Sequence, residues 1–121
     1  MAALLRRSAE AGLRVDLTIE GEPVALAGGP GLAAHRVIQE ALTNVLKHAG
    51  TDNCTLSLTY RPSTLTIEVT DDGAGGESAS GGHGLAGMRE RLAMYGGRLT
   101  AGPRPGGGFC VTAVLPTATP G

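Results

Sequence analysis

The sequence has few aromatic side chains and few cysteines: no tryptophan, one phenylalanine, two tyrosines and two cysteines in 121 residues. Its core must therefore be built from Ala, Val, Leu and Ile. Cys54 and Cys110 lie far apart and lack the C-x-x-C spacing of many metal and redox sites. We expect both to be buried or half-buried free thiols, with a disulfide between them as the alternative.

The sequence also has no long apolar run, no signal peptide and no excess of basic charge. The first two absences predict a cytoplasmic module that does not itself enter a membrane. Ten basic and eleven acidic side chains give a net charge of −1, so we expect no nucleic-acid partner. No acid follows Glu90, whereas three arginines do. This basic C-terminal third either faces an anionic ligand or is a solvated surface.

Hydrophobic periodicity predicts three helices, at residues 1–12, about 30–48 and about 85–95. Gly12, Gly50 and Gly96 are placed to end these helices. The predicted buried stripe of the third helix consists of Leu85, Met88, Leu92 and Tyr95. It predicts five strands, at 15–20, 53–60, 64–70, 98–101 and 108–115, with the first strand half-buried. Consecutive strands are joined by hairpins rather than by regular helical crossovers. We therefore expect a single α/β domain with a core of residues 14–116. A helix or linker remnant (1–13) precedes this core and a tail (117–121) follows it.

The second helix has a polar stripe in which Glu40, Asn44 and Lys47 share one face. Arg36 and His48 flank this stripe. The side chains on the opposite face are apolar: Ile38, Leu42 and Val45. One interpretation is an ordinary amphipathic helix with a solvated face. The other is a binding face, because amide and carboxylate oxygens suit Mg²⁺ and a lysine one turn away can reach phosphate oxygens.

Two glycine-rich segments follow the predicted hairpin. Residues 71–76 read Asp-Asp-Gly-Ala-Gly-Gly, where Asp71 ends a strand and can accept a hydrogen bond from an exocyclic amine. A plain surface turn is the alternative. Residues 82–87 match the G-x-G-x-x-G pattern of dinucleotide-binding folds, but no strand precedes them and no acidic residue follows about 20 residues later. We instead expect the helix after Gly84 to offer free backbone amides to a phosphate.

These three segments, in this order, resemble the ATP-binding catalytic domain of two-component sensor histidine kinases, a branch of the GHKL superfamily. The closer resemblance is to the subgroup whose partners are NarL-type response regulators, and it covers residues 14–116. It implies the Bergerat (GHKL) fold, which is an α/β (α+β) two-layer sandwich. In that fold a mixed, mostly antiparallel sheet packs against about three helices.

The resemblance implies a role for each matching residue. Asn44 would bind Mg²⁺ together with Glu40, which would also act as catalytic base or position a water. Asp71 would read adenine, and Thr112 would either support Asp71 or simply fill its strand. The remaining nucleotide contacts would come from Lys47, His48, Gly73, Gly75, Gly82, His83, Gly84, Leu85, Gly87 and Met88. Residues 77–82 would form an ATP lid that is mobile when empty.

The implied function is to bind ATP with Mg²⁺ and to donate the γ-phosphoryl group to a histidine on a separate helical hairpin. Too few residues precede the first strand for that hairpin, and His35, His48 and His83 lie in or beside the nucleotide motifs. We therefore expect acceptor and sensor parts to be absent, in a chain derived from a membrane-bound sensor.

We also expect this chain to be monomeric, because all its apolar stripes would be needed for its own core. Three alternatives to a histidine kinase remain open. They are an ATP-gated module like those of gyrase, Hsp90 and MutL, a serine kinase of the anti-sigma-factor type, and a non-enzymatic nucleotide-binding module.

Overall fold

The computed structural model describes residues 2–24, 26, 28–48, 53–72, 82–105 and 107–117. These residues form three helices and five strands. In chain order they are α1 (Ala2–Glu10), β1 (Arg14–Glu20), α2 (Gly28–His48), β2 (Asn53–Tyr60), β3 (Thr64–Asp71), α3 (Gly82–Met94), β4 (Arg98–Pro103) and β5 (Phe109–Pro116). Within these ranges, no helix has the length and hydropathy needed to span a membrane.

The five strands form one sheet with the order β1-β2-β3-β5-β4. β1 runs parallel to β2, and α2 connects the two strands along the chain. The other neighbouring pairs, β2–β3, β3–β5 and β4–β5, are antiparallel. The predicted mixed, mostly antiparallel sheet with three helices is therefore confirmed.

The side chains of the central strands alternate between two faces of the sheet. On one face they are buried with the helices in a single aliphatic core. The strand residues of this core are Cys54, Leu56, Leu58, Leu65, Ile67, Val69, Leu99, Val111, Ala113 and Leu115. The opposite face consists largely of half-buried Thr and Ser together with Glu68. The predicted core of Ala, Val, Leu and Ile is confirmed.

Two helices end in the same glycine-dependent way, as the sequence predicts. Gly12 after α1 and Gly96 after α3 have positive φ angles of 96° and 78°. After α3, the Gly97 N–H donates to the Leu92 carbonyl at 2.7 Å and the Gly96 N–H donates to the Ala93 carbonyl at 3.1 Å. This pair of bonds is the Schellman motif, which satisfies carbonyls left free at a helix end and requires a left-handed residue. An equivalent pair of bonds closes α1.

Three predictions about the helices need correction. α3 begins at Gly82 rather than at Leu85, so the second glycine segment forms its first turn instead of a preceding loop. Residues 1–13 are not merely a remnant, because Leu4 and Leu13 are buried in the core. On α3, Leu92 is fully buried, but Tyr95 is exposed and its hydroxyl lies against Gly29 at the start of α2. The predicted cap at Gly50 lies outside the described residues.

The prediction that β1 is half-buried is wrong for most of the strand. Leu17 and Ile19 point to the helix-facing side of the sheet but are 38% and 48% exposed. β1 is an edge strand, and α1 contacts it without covering these two side chains. The apolar residues of the chain are therefore not all used in its own core, which removes one reason for expecting a monomer.

Leu92 anchors α3, which leads to a prediction about stability. Leu92 is 0% exposed, whereas Met94 on the same helix is 76% exposed. Leu92→Ala should lower the free energy of unfolding by about 2–5 kcal/mol because it removes buried methyl groups and leaves a cavity. The matched control, Met94→Ala, should change it by no more than about 0.5 kcal/mol. Urea denaturation measures both, and equal effects would contradict the described packing of α3.

Both cysteines are free, as expected: Cys54 is buried and Cys110 is half-buried, so the disulfide alternative is wrong. Burial, and to a smaller extent the negative charges of Asp71 and Asp16, raise the pKa of the Cys54 thiol from 9.0 to about 11. Because its reactive form is the thiolate, Cys54 should be alkylated slowly in the native protein.

We therefore predict that, in a Cys110→Ser chain at pH 8, iodoacetamide modifies Cys54 at least about tenfold more slowly in the folded than in the denatured state. Because the folded-state pKa is raised, stability should also fall as pH rises from 9.0 to about 11. This fall should be smaller in Cys54→Ala. Equal alkylation rates in the folded and denatured states would contradict the burial of Cys54.

Candidate functional site

Two residues of the polar stripe of α2 are partly shielded from solvent. Glu40 and Asn44 are half-buried, whereas Arg36 is exposed. The opposite side of α2 is buried as predicted, through Ala34, Val37, Ile38, Ala41, Leu42 and Val45. Lys47 and His48 belong to the last turn of α2, but their side chains lie outside the described part of the structure.

The first half of α2 packs over the start of β3. A cavity of about 390 Å³ lies between the first half of α2 and the start of β3, with Leu65 and Ile67 in its wall. Leu42 and Val45, farther along α2, are buried in the same core. We infer that α2 continues over the second half of β3, so that Glu40 and Asn44 lie over the half of the sheet that ends at Asp71.

Asp71 is the last residue of β3 and is only 6% exposed. It pairs with Phe109 of β5 and lies on the helix-facing side of the sheet, in line with the buried Val69. Its charge is one of the causes that raise the pKa of Cys54, so the two side chains share one part of the core. The next residue, Asp72, is exposed. A buried carboxylate thus lies at the strand end where the sequence predicts adenine recognition.

The predicted support of Asp71 by Thr112 is wrong. Thr112 pairs with Glu68 and therefore lies on the face of the sheet opposite Asp71. Its hydroxyl lies 3.5 Å from the Glu68 carboxylate and 3.5 Å from the Cys110 sulfur. The alternative interpretation, a β-branched residue that fills its strand, agrees with this position.

The two glycine segments are described only in part. Gly73, Gly75 and residues 77–81 of the predicted lid lie outside the described residues. Residues 82–85 form the first turn of α3, whose free backbone amides can bind an anion, but their side chains are not among those described. Gly87 and Met88 are half-buried in the next turn. A hydrogen bond of 3.2 Å from Arg89 Nε to the Leu99 carbonyl ties α3 to β4.

The structure also brings two residues to Asp71 that were not predicted as site residues. Arg104 Nη1 donates a hydrogen bond of 3.2 Å to the Asp71 carbonyl. The backbone of Gly108 packs against the same carbonyl, so closely that a Cβ atom at Gly108 would lie 2.0 Å from the oxygen. Both residues belong to the turn between β4 and β5. The sequence shows that this turn is rich in Pro and Gly, but it does not show that Arg104 and Gly108 contact Asp71.

The ligand chemistry of α2 fits Mg²⁺ better than zinc. Among the residues described, no cluster of three or more His, Cys, Asp or Glu side chains could bind a metal ion. Structural zinc sites in proteins need such a cluster. Glu40 and Asn44, one helical turn apart, instead offer one carboxylate and one amide oxygen. Few hard oxygen ligands beside a phosphate are the usual protein environment of Mg²⁺.

Comparisons with known proteins agree with this fold. Residues 29–119 match the family described as histidine kinase-, DNA gyrase B-, and HSP90-like ATPase. The chain is 31% identical over 103 residues to the sensor histidine kinase LnrJ of Bacillus subtilis, covering 85% of this chain and 26% of LnrJ. It is 43% identical over 65 residues to the sensor histidine kinase DesK of the same organism, covering 51% of this chain and 18% of DesK.

A solved structure shows the same fold. The histidine kinase domain of a blue-light-activated histidine kinase from Erythrobacter litoralis superposes with a TM-score of 0.72 at 23% identity, covering 96% of this chain and 64% of that one. The family match spans most of the chain and includes α2, α3 and the strands on either side of Asp71. The chain belongs to the histidine kinase-, DNA gyrase B- and HSP90-like ATPase family.

Proposed function

We propose that this chain is the catalytic domain of a sensor histidine kinase. It binds ATP with Mg²⁺ and donates the γ-phosphoryl group to a histidine on a separate acceptor hairpin. The full kinase would pass the phosphoryl group to a NarL-type response regulator. The observation that carries the proposal is the buried carboxylate of Asp71 at the end of β3, directly before the glycine segment.

Adenine recognition follows from the chemistry of that carboxylate. A carboxylate accepts hydrogen bonds, and the N6 amino group of adenine donates them. Guanine carries a carbonyl oxygen at the corresponding ring position, so an acceptor would face an acceptor. In a site with little water this mismatch is costly, because neither group can find another partner. Asp71 therefore favours adenine over guanine nucleotides.

The phosphates are assigned to α2 and to the start of α3. Glu40 and Asn44 would hold the Mg²⁺ ion, which neutralises phosphate charge when bound. Lys47 and His48, one turn beyond Asn44, would contact phosphate oxygens. The backbone amides in the first turn of α3, together with the positive end of its helix dipole, would bind a further phosphate.

Besides the bound nucleotide, the transfer step requires a correctly positioned acceptor histidine and a group that takes up its proton. The imidazole nitrogen of the acceptor histidine forms a bond to the γ-phosphorus while the bond to the β–γ bridging oxygen breaks. ADP leaves with the electron pair of that bond. Glu40 accepts the proton released from the imidazole or positions a water that does so. Positioning and charge neutralisation supply most of the rate in such transfers.

The similarity to curated sensor histidine kinases favours this proposal over an ATP-gated clamp of the gyrase or Hsp90 type. The direct test is to incubate the chain with γ-labelled ATP, with and without a supplied acceptor hairpin. We expect acid-labile, base-stable phosphate on the hairpin and none on this chain. Robust labelling of the chain itself would contradict the proposal that it is a separate catalytic domain.

One prediction of the proposed function concerns Asp71. Asp71→Asn replaces one acceptor oxygen with an amide donor, so the affinity for ADP should fall by about 1–3 kcal/mol. This corresponds to roughly 5- to 150-fold in the dissociation constant. The matched control is Asp72→Asn, the same change at an exposed neighbour, which should have little effect. Calorimetric titration of the wild type and both variants with ADP and GDP measures these affinities. Equal affinity of the wild type for the two nucleotides would exclude adenine recognition by Asp71.

Another prediction of the proposed function separates Glu40 from Asn44. Glu40→Gln should slow transfer to the supplied hairpin by roughly 10²- to 10⁴-fold, the usual contribution of a general base, and should weaken ATP binding much less. Asn44→Asp should instead change the Mg²⁺ dependence of ATP binding. Glu10→Gln, an exposed change on α1, serves as the control. If the wild type binds ATP equally well with and without Mg²⁺, the α2 stripe is not a metal site.

A further inference from the structure

The turn between β4 and β5 holds the end of β3 through an arginine. Arg104 Nη1 donates to the Asp71 carbonyl at 3.2 Å, across the end of the intervening strand β5. The turn that carries Arg104 is closed by its own backbone. The Arg104 N–H donates to the Gly108 carbonyl at 2.9 Å, and the Gly107 N–H donates to the Arg104 carbonyl at 3.1 Å. These two hydrogen bonds fix the backbone from which the Arg104 side chain extends.

Gly108 brings this turn into direct contact with the same carbonyl. Its φ angle is 93°, which disfavours any residue with a side chain. A Cβ atom at this position would lie 2.0 Å from the Asp71 oxygen and 2.9 Å from the Asp72 Cα atom. The last carbonyl of β3 thus lies against the Gly108 backbone and accepts a hydrogen bond from Arg104.

This contact is made by the last residue of β3 that the sheet still pairs. The pair Asp71–Phe109 is the last in the register between β3 and β5, and the chain then continues to Asp72 and the first glycine segment. Strand ends beyond the last pair open easily, because no ladder hydrogen bond holds them. Arg104 adds a charged donor at this end, and such hydrogen bonds are stronger than neutral ones.

We propose that Arg104 is a positioning residue for adenine recognition. It fixes the backbone of Asp71 against Gly108 and thereby fixes where the buried carboxylate points. The inference rests on the proposed function of Asp71, because the direction of this carboxylate matters for binding only if the carboxylate recognises the ligand. Recognition groups displaced by about 1 Å lose much of their effect. In this role Arg104 acts through Asp71 and needs no contact with the nucleotide.

A double-mutant cycle tests this role. In the wild-type chain, Arg104→Ala should weaken ADP binding by about fivefold or more, with Arg104→Lys intermediate. In an Asp71→Asn chain, Arg104→Ala should cost less than about twofold, because the group it positions is already gone. The matched control is Arg98→Ala, which removes the same charge from another exposed arginine, at the other end of β4. It should leave ADP affinity unchanged.

Two results of this cycle would overturn the proposal. One is an unchanged ADP affinity in Arg104→Ala. The other is an equal loss with and without the Asp71 carboxylate, which would mean that Arg104 acts on the nucleotide directly. Urea denaturation confirms that each variant is folded before titration.

A second measurement needs no nucleotide and keeps this inference separable from the proposed function. In labelled protein, the ¹³C shift of the Asp71 carbonyl and the ¹⁵N shift of the Asp72 amide report on the peptide group that Arg104 binds. Both should move in Arg104→Ala but not in Arg98→Ala, and the Asp72 amide should exchange faster. Unchanged shifts overturn the positioning role. If the wild-type chain fails to bind ADP, the proposed function is contradicted instead. In that case the chemical shifts alone still show whether Arg104 holds the end of β3.

Discussion

The helix-facing row of β3 consists of Leu65, Ile67 and Val69, and the next position in that row is Asp71. Alternation along a strand would favour a fourth apolar side chain there. A carboxylate buried at this position is unfavourable unless hydrogen bonds compensate for the lost hydration. Such exceptions to local pattern are expected where a protein binds a ligand. The proposed nucleotide site is centred on this one buried charge.

The neighbouring strand and the β4–β5 turn both constrain the position of Asp71. The β3–β5 register places Asp71 opposite Phe109, and the β4–β5 turn contacts its carbonyl through Arg104 and Gly108. On the helical side, the core continues along α2 toward its half-buried residues Glu40 and Asn44. In the proposed function, nucleotide specificity and phosphate chemistry therefore belong to different elements. Substitutions in the sheet should affect base selectivity, whereas substitutions on α2 should affect metal dependence and transfer.

Much of this fold could be predicted from local patterns. Strict alternation predicted β2 at its observed bounds and β3 to within one residue, and Gly12 and Gly96 predicted two helix ends. These features depend on residues close in sequence, so one chain is enough to see them. The Asp71 position was likewise predicted from a strand followed by glycines. Its burial agrees with a site role, although its ligand stays a prediction.

The features that were missed depend on contacts between distant segments. Thr112 was assigned to Asp71, but only the register shows that it faces Glu68 on the other side of the sheet. The exposure of Leu17 and Ile19 depends on strand order, since the same alternation in a central strand would be buried. The contact from Arg104 to Asp71 spans 33 residues and leaves no periodic signal.

The central claim is that the Asp71 carboxylate reads the amino group of adenine. A crystal structure of the 121-residue chain with ADP and Mg²⁺ tests it most directly. We expect adenine N6 to lie about 2.7–3.2 Å from an Asp71 carboxylate oxygen, the normal range of a hydrogen bond. An adenine whose N6 atom faces solvent, or a nucleotide bound away from the end of β3, would contradict it.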